Sequence, residues 1–221
     1  MSTIRHPLTF DPLPAATLET WKAIPTTIAT DVLNRSQAMG AAIKPIAPGL
    51  KLVGQARTVS TMVGDNGPIH VLAALIRPGE VMVIDARAQA DSAVWGEILT
   101  TTFLKQGGAG VVLDGATRDL ADIRTMGFPL FCLGAVPRGP HKGWGGVIDG
   151  TIAAAGVTVN PGDLVLGDDD GVTVVPMAKV DSMLKAALAQ MEQEKQWLAE
   201  IAKGRTTVDI LGIAEPEMAE E

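Results

Sequence analysis

Between residues 95 and 122 the chain reads WGEILTTTFLKQGGAGVVLDGATRDLAD, and this stretch holds the groups that chemistry on a small acid requires. Glu97 opens one stretch of helical periodicity; Arg118 and Asp119 open another about twenty residues later. An arginine stays charged at every physiological pH and presents a planar fork of donors to a carboxylate or keto oxygen. A carboxylate beside it offers a hard oxygen ligand to a divalent cation, or an acceptor for a proton. Backbone N–H groups near 96–99, at a helix start, would add a site for an anion. These groups converge only if the strands before them are neighbours in a parallel sheet, where ligands sit beyond the carboxyl ends of the strands. The competing reading is purely structural. Acids in first turns are favoured by the helix dipole, and Thr117 would be an ordinary N-cap; for Asp122 alone that reading is preferred.

The rest of the chain excludes several other chemistries. It contains no GxGxxG, no Walker loop and no GxSxG. His6, His70 and His141 are scattered without an HExxH; His70, just after the GDNGP loop, could face a cleft, but capping or packing a helix is the preferred reading. Cys132 is the single cysteine and lies in the apolar run LFCL, so it reads as a buried thiol in a reducing compartment. Lys105 falls near the end of its helix, about two turns beyond Glu97. It is therefore expected in solvent and not in the apolar pocket of a Schiff-base lysine. The DDD at 168–170, followed by Gly171, reads as a hairpin turn and not as a metal site. The loop RGPHKGWGG at 138–146 carries two cations, Arg138 and Lys142, that could read a distal carboxylate or simply be solvated. Trp144 in that loop covers a pocket or meets another subunit.

Positioning these residues requires a defined scaffold. Short apolar runs at 81–84, 110–113 and 129–133 alternate with helical stretches at 94–106 and 119–126, the pattern of parallel strands joined by right-handed crossovers. Helices are expected at 18–24, with Thr17 as N-cap, and at 27–34; a strand is expected at 51–63 and a loop at GDNGP, 64–68. Runs at 157–159, 164–166 and 172–175 are separated by NPGD and DDDG and suggest a second, largely antiparallel layer. From 178 to 203 there is no Gly or Pro, and Val180, Met183, Leu184, Ala187, Leu188 and Met191 recur at helical spacing, giving one long helix. The fold class is therefore mixed α/β. Residues 1–15 read as an N-terminal arm on the surface or on a neighbouring subunit, 16–205 as one catalytic domain, and 206–221 as an extension with an acidic tail.

With 18 Lys and Arg against 25 Asp and Glu, the net charge is −7, which argues against nucleic acid as a partner. No apolar run is long enough for a membrane span or signal peptide, so the chain is expected in the cytoplasm with no membrane partner.

The order Gly96–Glu97, then Arg118–Asp119, then Asp122 resembles the signature of the RraA-like family, and the resemblance extends from about residue 25 to 194 through GDN at 64–66, NPGD at 160–163 and GDDDGVTVVP at 167–176. The resemblance implies a single-domain β/β/α swivelling-domain-like sandwich, assembled as a homotrimer or homohexamer. Its catalytic branch resembles the 4-hydroxy-4-methyl-2-oxoglutarate / 4-carboxy-4-hydroxy-2-oxoadipate aldolases, carbon–carbon lyases that release pyruvate from a small 2-oxo acid and also decarboxylate oxaloacetate. By motif, Asp119 would bind Mg²⁺ or Mn²⁺ directly and Glu97 would act through metal-bound water, although aspartate often stands at the latter position in these aldolases. Arg118 would contact the keto oxygen, and the backbone at Gly96, Ile98 and Leu99 would take the carboxylate. Glu194 would come from the adjacent subunit. The other branch implies a regulator that binds ribonuclease E, and a lyase or decarboxylase on another 2-oxo acid is a further alternative.

Overall fold

The computed structural model describes residues 2–219. The arm forms β1 (Ile4–Arg5), and α1 (Ala15–Lys22) and α2 (Thr26–Val32) follow. Strand β2 (Lys44–Pro45) precedes β3 (Leu52–Thr61), α3 (Gly67–Ala73) and β4 (Val81–Trp95). The alternation continues through α4 (Glu97–Lys105), β5 (Gly110–Thr117), α5 (Leu120–Thr125) and β6 (Leu130–Ala135). Next come β7 (Gly146–Ile148), β8 (Ile152–Ala154), β9 (Val157–Val159), β10 (Leu164–Asp168) and β11 (Gly171–Val175). A 3₁₀ turn at Met177–Lys179 leads into α6 (Val180–Ala202), and α7 (Thr207–Leu211) is the last element.

Strands β3, β4, β5 and β6 are parallel neighbours within a sheet of order β1-β7-β3-β4-β5-β6-β2. Both faces of these strands are covered, which is why their apolar runs have no polar alternation. Met82, Ile84, Val111 and Leu113 pack against Leu72 of α3, Phe103 of α4 and Ile123 of α5. The residues between them, Val81, Val83 and Val112, face Val157, Val159, Val165 and Val174 of the hairpin layer. The far side of that layer, Leu164, Leu166 and Val175, packs on Trp21, Ile28, Val180 and Ala187 of α1, α2 and α6. The result is a mixed α/β domain with a two-layered β core and a long C-terminal helix, as expected. Strands β10 and β11 close at Asp168↔Gly171, so 168–170 is a hairpin turn: Asp168 accepts bonds from Thr26, and Asp169 from the Gly49 N–H.

Several expected boundaries move. Helix α1 begins at Ala15 with Pro14 in the N-cap position, so Thr17 lies inside its first turn and does not cap it. The 64–68 loop is shorter than expected: α3 starts at Gly67 with Pro68 in its first turn, where a fixed φ and a missing N–H cost nothing. Strand β4 runs on to Trp95, because residues 93–95 are buried and Ala93 and Trp95 pair with β5; the helix starts at Glu97, not at 94. Strand β5 runs on to Thr117, whose hydroxyl donates to the Trp95 carbonyl. Thr117 is therefore a strand residue and no N-cap; Asp119 takes that place. The arm lies along its own chain, with β1 parallel to β7. Within the extension, α7 carries a capping box from Thr206 and Asp209. The last two residues of the acidic tail lie outside the described residues. Among the described residues no helix is long and apolar enough to cross a membrane. Cys132 is buried, and its thiol is pushed up to about 11 by that burial, against a weaker opposing bond to the Gly134 carbonyl.

A buried ionic hub joins β3 to the chain after β7. Arg57 donates to both Asp149 oxygens at 2.7 and 2.9 Å and to Glu80 at 2.8 Å, and all three side chains are almost wholly buried. Burial by itself would lower the Arg57 pKa, but the bonds and charges of Asp149 and Glu80 outweigh it and hold the guanidinium above its ordinary value. Nothing in the sequence reading pointed to this hub.

Candidate active site

The site is assembled where β4 and β5 end. The two strands are in simple register from Val81↔Gly110 to Asp85↔Asp114, and then the register shifts, leaving the single pair Gln89↔Gly115 before the next shift. Arg87 and Ala88 adopt left-handed conformations at φ 62° and 53°, the Asp85 carboxylate accepting the Arg87 N–H at 2.9 Å. The strand returns at Ala93↔Ala116 and closes at Trp95↔Thr117. That last pair places Gly96 and Glu97 beside Arg118 and Asp119, converting a separation of about twenty residues in sequence into one strand spacing. The Arg118 N–H donates to the Trp95 carbonyl at 3.1 Å, and the Glu97 N–H to Asp119 Oδ2 at 3.1 Å.

Side-chain packing fixes the start of α4. Trp95 stacks on Phe128, meets Phe103 edge-on, and donates its indole N–H to Thr100 Oγ1 at 2.8 Å. The closeness of the two strand ends also demands glycine at 96, since a Cβ there would lie 2.5 Å from Asp119 Oδ2. On the opposite wall Gly139 leaves room for the Arg118 guanidinium, since a Cβ there would lie 2.6 Å from an Arg118 Nη and push it aside. Asp119 itself has φ 58°, a left-handed conformation that aspartate tolerates better than most residues and that is concentrated at functional sites.

A cleft of about 260 Å³ opens here, lined by Gly96, Ile98, Leu99, Arg118 and Asp119 on one side and by Asn66, His70, Pro140 and Lys142 on the other. The sequence-predicted residues Gly96, Ile98, Leu99, Arg118 and Asp119 are thus brought together. The N–H groups of Ile98 and Leu99 find no acceptor among the described residues, as expected of an unoccupied first turn. Arg118 Nε stands 3.5 Å from Asp119 Oδ2, both side chains being about one-third exposed (40% and 35%), so the pair adds little stability and leaves donors for a ligand. Glu97 is exposed at the edge of the site and is not among the lining residues. Glu194 lies on α6, bonded to Gln190 and remote from this cleft within one chain. Asp122 remains an exposed first-turn acid of α5. Lys105 is exposed in the last turn of α4, as expected. Trp144 packs on the His141 ring and does not line this cleft.

Of two further lining residues, His70 takes the role that was the lesser of its two readings, and Asn66 was not foreseen. His70 faces the cleft and does not simply cap or pack α3, because α3 starts early enough to turn its fourth residue inward. Asn66 donates Nδ2 to the Val94 carbonyl at 3.1 Å, which fixes its amide orientation, and its buried Oδ1 has no partner. The GDN motif was visible in the sequence, but the sequence did not show that its asparagine would lie across from Arg118.

The motif also anchors the 138–146 loop. Asp65, fully buried, accepts the Gly67 N–H through one oxygen and the Gly143 and Trp144 N–H groups through the other, at 2.7–2.8 Å. Burial opposes its ionisation, but the bonds from Trp144, Gly143 and Gly67 outweigh it and hold the carboxyl below its ordinary range. A depressed carboxylate stabilises the fold above its unfolded pKa of about 3.9 and loses that contribution as pH falls through the folded value. The Gly143 and Trp144 amides are therefore expected to keep their hydrogen-exchange protection from pH 6 down past the ordinary aspartate pKa, and to lose it only as the pH falls through the lower folded value. Asp65→Asn should lose it already at pH 6; protection in Asp65→Asn equal to wild type at that pH would show that the carboxylate does not anchor the loop.

The cleft offers the Asp119 carboxylate, the Asn66 amide oxygen and the His70 imidazole. Among the described residues no group of three or more His, Cys, Asp or Glu could hold a metal ion. That excludes a closed protein cage within one chain but fits Mg²⁺ or Mn²⁺, hard cations that take one or two carboxylates and complete their shell with water and substrate oxygens.

Comparison with known proteins agrees with this geometry. Residues 26–174 match the model of the family described as RraA-like: Aldolase/RraA. A Halalkalibacterium halodurans protein, provisionally named 4-hydroxy-4-methyl-2-oxoglutarate aldolase, is 38% identical over 76% of this chain and 80% of its own length. An uncharacterised Pseudomonas syringae protein superposes with a TM-score of 0.81 at 25% identity, covering 95% of this chain and 99% of that one. A Streptomyces coelicolor protein, RraAS2, described as an unusual member of the RNase ES inhibitor RraA protein family, superposes with a TM-score of 0.78 at 27% identity, covering 85% of this chain and 98% of that one.

Proposed function

Because the chain belongs to the RraA-like family, we propose that it is a divalent-metal-dependent aldolase that cleaves a 4-hydroxy-2-oxo acid to pyruvate and a second oxo acid. Decarboxylation of oxaloacetate, which passes through the same enolate, is the side activity. The observation that carries this reading is the Trp95↔Thr117 register, which sets Arg118 and Asp119 beside the free N–H groups of α4.

In this reading the Ile98 and Leu99 N–H groups take the substrate carboxylate, aided by the positive end of the helix. Arg118 donates to the keto oxygen. Cleavage breaks the C3–C4 bond: the 4-hydroxyl gives up its proton and becomes the carbonyl of the departing oxo acid. The electron pair left on C3 spreads onto the keto oxygen, where Arg118 stabilises the enolate. Glu97, exposed at the edge, serves the proton transfers, and protonation at C3 completes pyruvate. Asp119 would hold Mg²⁺ or Mn²⁺, with Glu97 acting through its water; when bound, the ion supplies Lewis-acid polarisation of the keto and carboxylate oxygens. The working unit is a trimer or hexamer in the cytoplasm, with Glu194 reaching the site of the adjacent subunit.

The likeness to the Streptomyces coelicolor inhibitor-family protein supports a second reading, a regulator that binds ribonuclease E. A pyruvate-release assay over a panel of 4-hydroxy-2-oxo acids separates the two. Release abolished by a chelator and restored by Mg²⁺ or Mn²⁺ is expected. Release indifferent to chelator, or a pyruvate adduct trapped on a lysine by borohydride, points to another lyase; no release from any compound favours the regulator.

A further inference from the structure

His70 and Asn66 line the cleft, yet the reaction as described leaves both without a task. We propose that they form a catalytic dyad, in which His70 takes the proton of the substrate's 4-hydroxyl and returns it to C3, and Asn66 Oδ1 accepts the ring N–H that orients it. This rests on the aldolase reading above. It names the group that moves the proton inside the cleft, while Glu97, outside the lining, acts only at the exposed edge.

Asn66 holds the N-cap position of α3 and His70 follows four residues later, its N–H donating to the Asn66 carbonyl at 3.1 Å. That spacing makes the two side chains neighbours at the start of the helix. The Asn66 side chain makes no capping bond. Its Nδ2 is committed to the Val94 carbonyl, so the orphaned Oδ1 of this 5% exposed residue is an acceptor waiting for a donor. The His70 ring supplies what is missing. Among the described residues it makes no hydrogen bond, and a neutral imidazole carries one N–H and one bare nitrogen. With the N–H turned to Asn66, the bare nitrogen is left for the cleft. A base and its orienter commonly close up in this way when substrate fills the site.

The charges that face His70 suit a base. Lys142, Arg118 and Asp119 line the same cleft, and Glu97 stands at its edge. The loop bearing Lys142 is tied to the GDN turn, where the His141 N–H donates to the Gly64 carbonyl at 2.7 Å, and to the end of β4, where the Arg138 carbonyl accepts the Ala93 N–H at 2.8 Å. Burial, and after it the charge of Lys142, hold the His70 pKa below its ordinary value. The ring is therefore the free base near pH 7. Once protonated beside Lys142, it gives the proton up readily.

The step balances with one proton. It passes from the 4-hydroxyl to the bare nitrogen as the C4–O bond becomes a carbonyl and the C3–C4 bond breaks. The electron pair runs through C3 to the keto oxygen beside Arg118, and the imidazolium then protonates C3. Oxaloacetate reaches the same enolate by losing CO₂, with no hydroxyl to deprotonate.

The two reactions therefore part in the test. His70→Gln should lower kcat for cleavage of a 4-hydroxy-2-oxo acid about a hundredfold or more, yet change CO₂ release from oxaloacetate by about threefold or less. Wild-type cleavage should fall as acid protonates His70, below the ordinary histidine pKa, and His70→Gln should lack that limb. Asn66→Asp, whose carboxylate favours the imidazolium, should move the limb to higher pH. A further readout needs no turnover. In nitrogen NMR at pH 7 with Mg²⁺ and pyruvate, His70 should show a single neutral tautomer in wild type and a mixture of both in Asn66→Ala.

Equal loss of both reactions in His70→Gln would make His70 a wall of the cleft, overturning the dyad and leaving the aldolase reading in place. Unchanged cleavage in that variant, or a mixture of tautomers in wild type, would overturn the dyad in the same way. No pyruvate from any 4-hydroxy-2-oxo acid and no CO₂ from oxaloacetate with wild type would overturn the aldolase reading itself, and this step with it.

Discussion

Arg118→Lys is expected to lose about a hundredfold or more in turnover, nearly as much as Arg118→Ala, although the charge is kept. The reason lies in the walls that hold the guanidinium. Nε approaches Asp119 at 3.5 Å, and one Nη rests where Gly139 leaves room for it. The remaining donors are therefore directed in a fixed plane. An ammonium on a flexible stem offers neither the plane nor a second parallel bond, so the developing enolate oxygen keeps only a diffuse positive field. Asp119→Asn should behave differently: it weakens metal affinity, so turnover recovers in part as Mg²⁺ is raised. Turnover against metal concentration for the two variants is the measurement. Near-normal turnover in Arg118→Lys would reduce Arg118 to a surface cation and remove the main support for the aldolase reading.

The second large effect concerns stability. Asp149→Asn is expected to cost about 3 kcal/mol or more, because it removes one charge of a buried pair and leaves the other. Asparagine suits the test. It keeps the shape of aspartate and tolerates the left-handed φ of 58° at this position, so backbone strain does not confuse the result. Arg57 would retain Glu80, the Leu75 carbonyl and at most one neutral acceptor, the asparagine Oδ1, in place of a charged carboxylate with two. The expected signature in chemical denaturation is a lower midpoint with an unchanged slope. Replacing both Arg57 and Asp149 by apolar residues should cost less than the single change, since no unpaired charge remains between them. A single variant as stable as wild type would show that solvent reaches the hub.

These two arginines differ in how far the sequence revealed them. Arg118 was legible because its neighbours form a local motif: an acid follows it directly, a strand precedes it and a helix follows. The parallel core was legible for a similar reason, since VMVI and GVVL are short apolar runs between helical stretches. Arg57 was not legible. Its partners Glu80 and Asp149 lie 23 and 92 residues away, and a lone arginine in an alternating strand reads as a solvent-facing position. The ends of β4 and β5 were misjudged because residues 86–92 are polar and irregular, which hid the return of Val94 and Trp95 to the sheet. His70 was misjudged because its direction depends on where α3 begins, a matter of one or two residues. Lys142 was noticed, but only the pairing of its loop with the GDN turn and the end of β4 distinguished it from Arg138.

The excursion of β4 has a consequence for how such a protein can change. Because the register shifts after Asp85, meets β5 once at Gln89↔Gly115 and shifts again before Ala93, the gap between Glu97 and Asp119 is set by the pairs at Ala93 and Trp95. Residues 87, 88, 90 and 91 are exposed, so their composition can change without altering that gap. The fold thereby separates the fixed gap between Glu97 and Asp119 from an exposed segment that can accept new side chains while the strand ends stay in register.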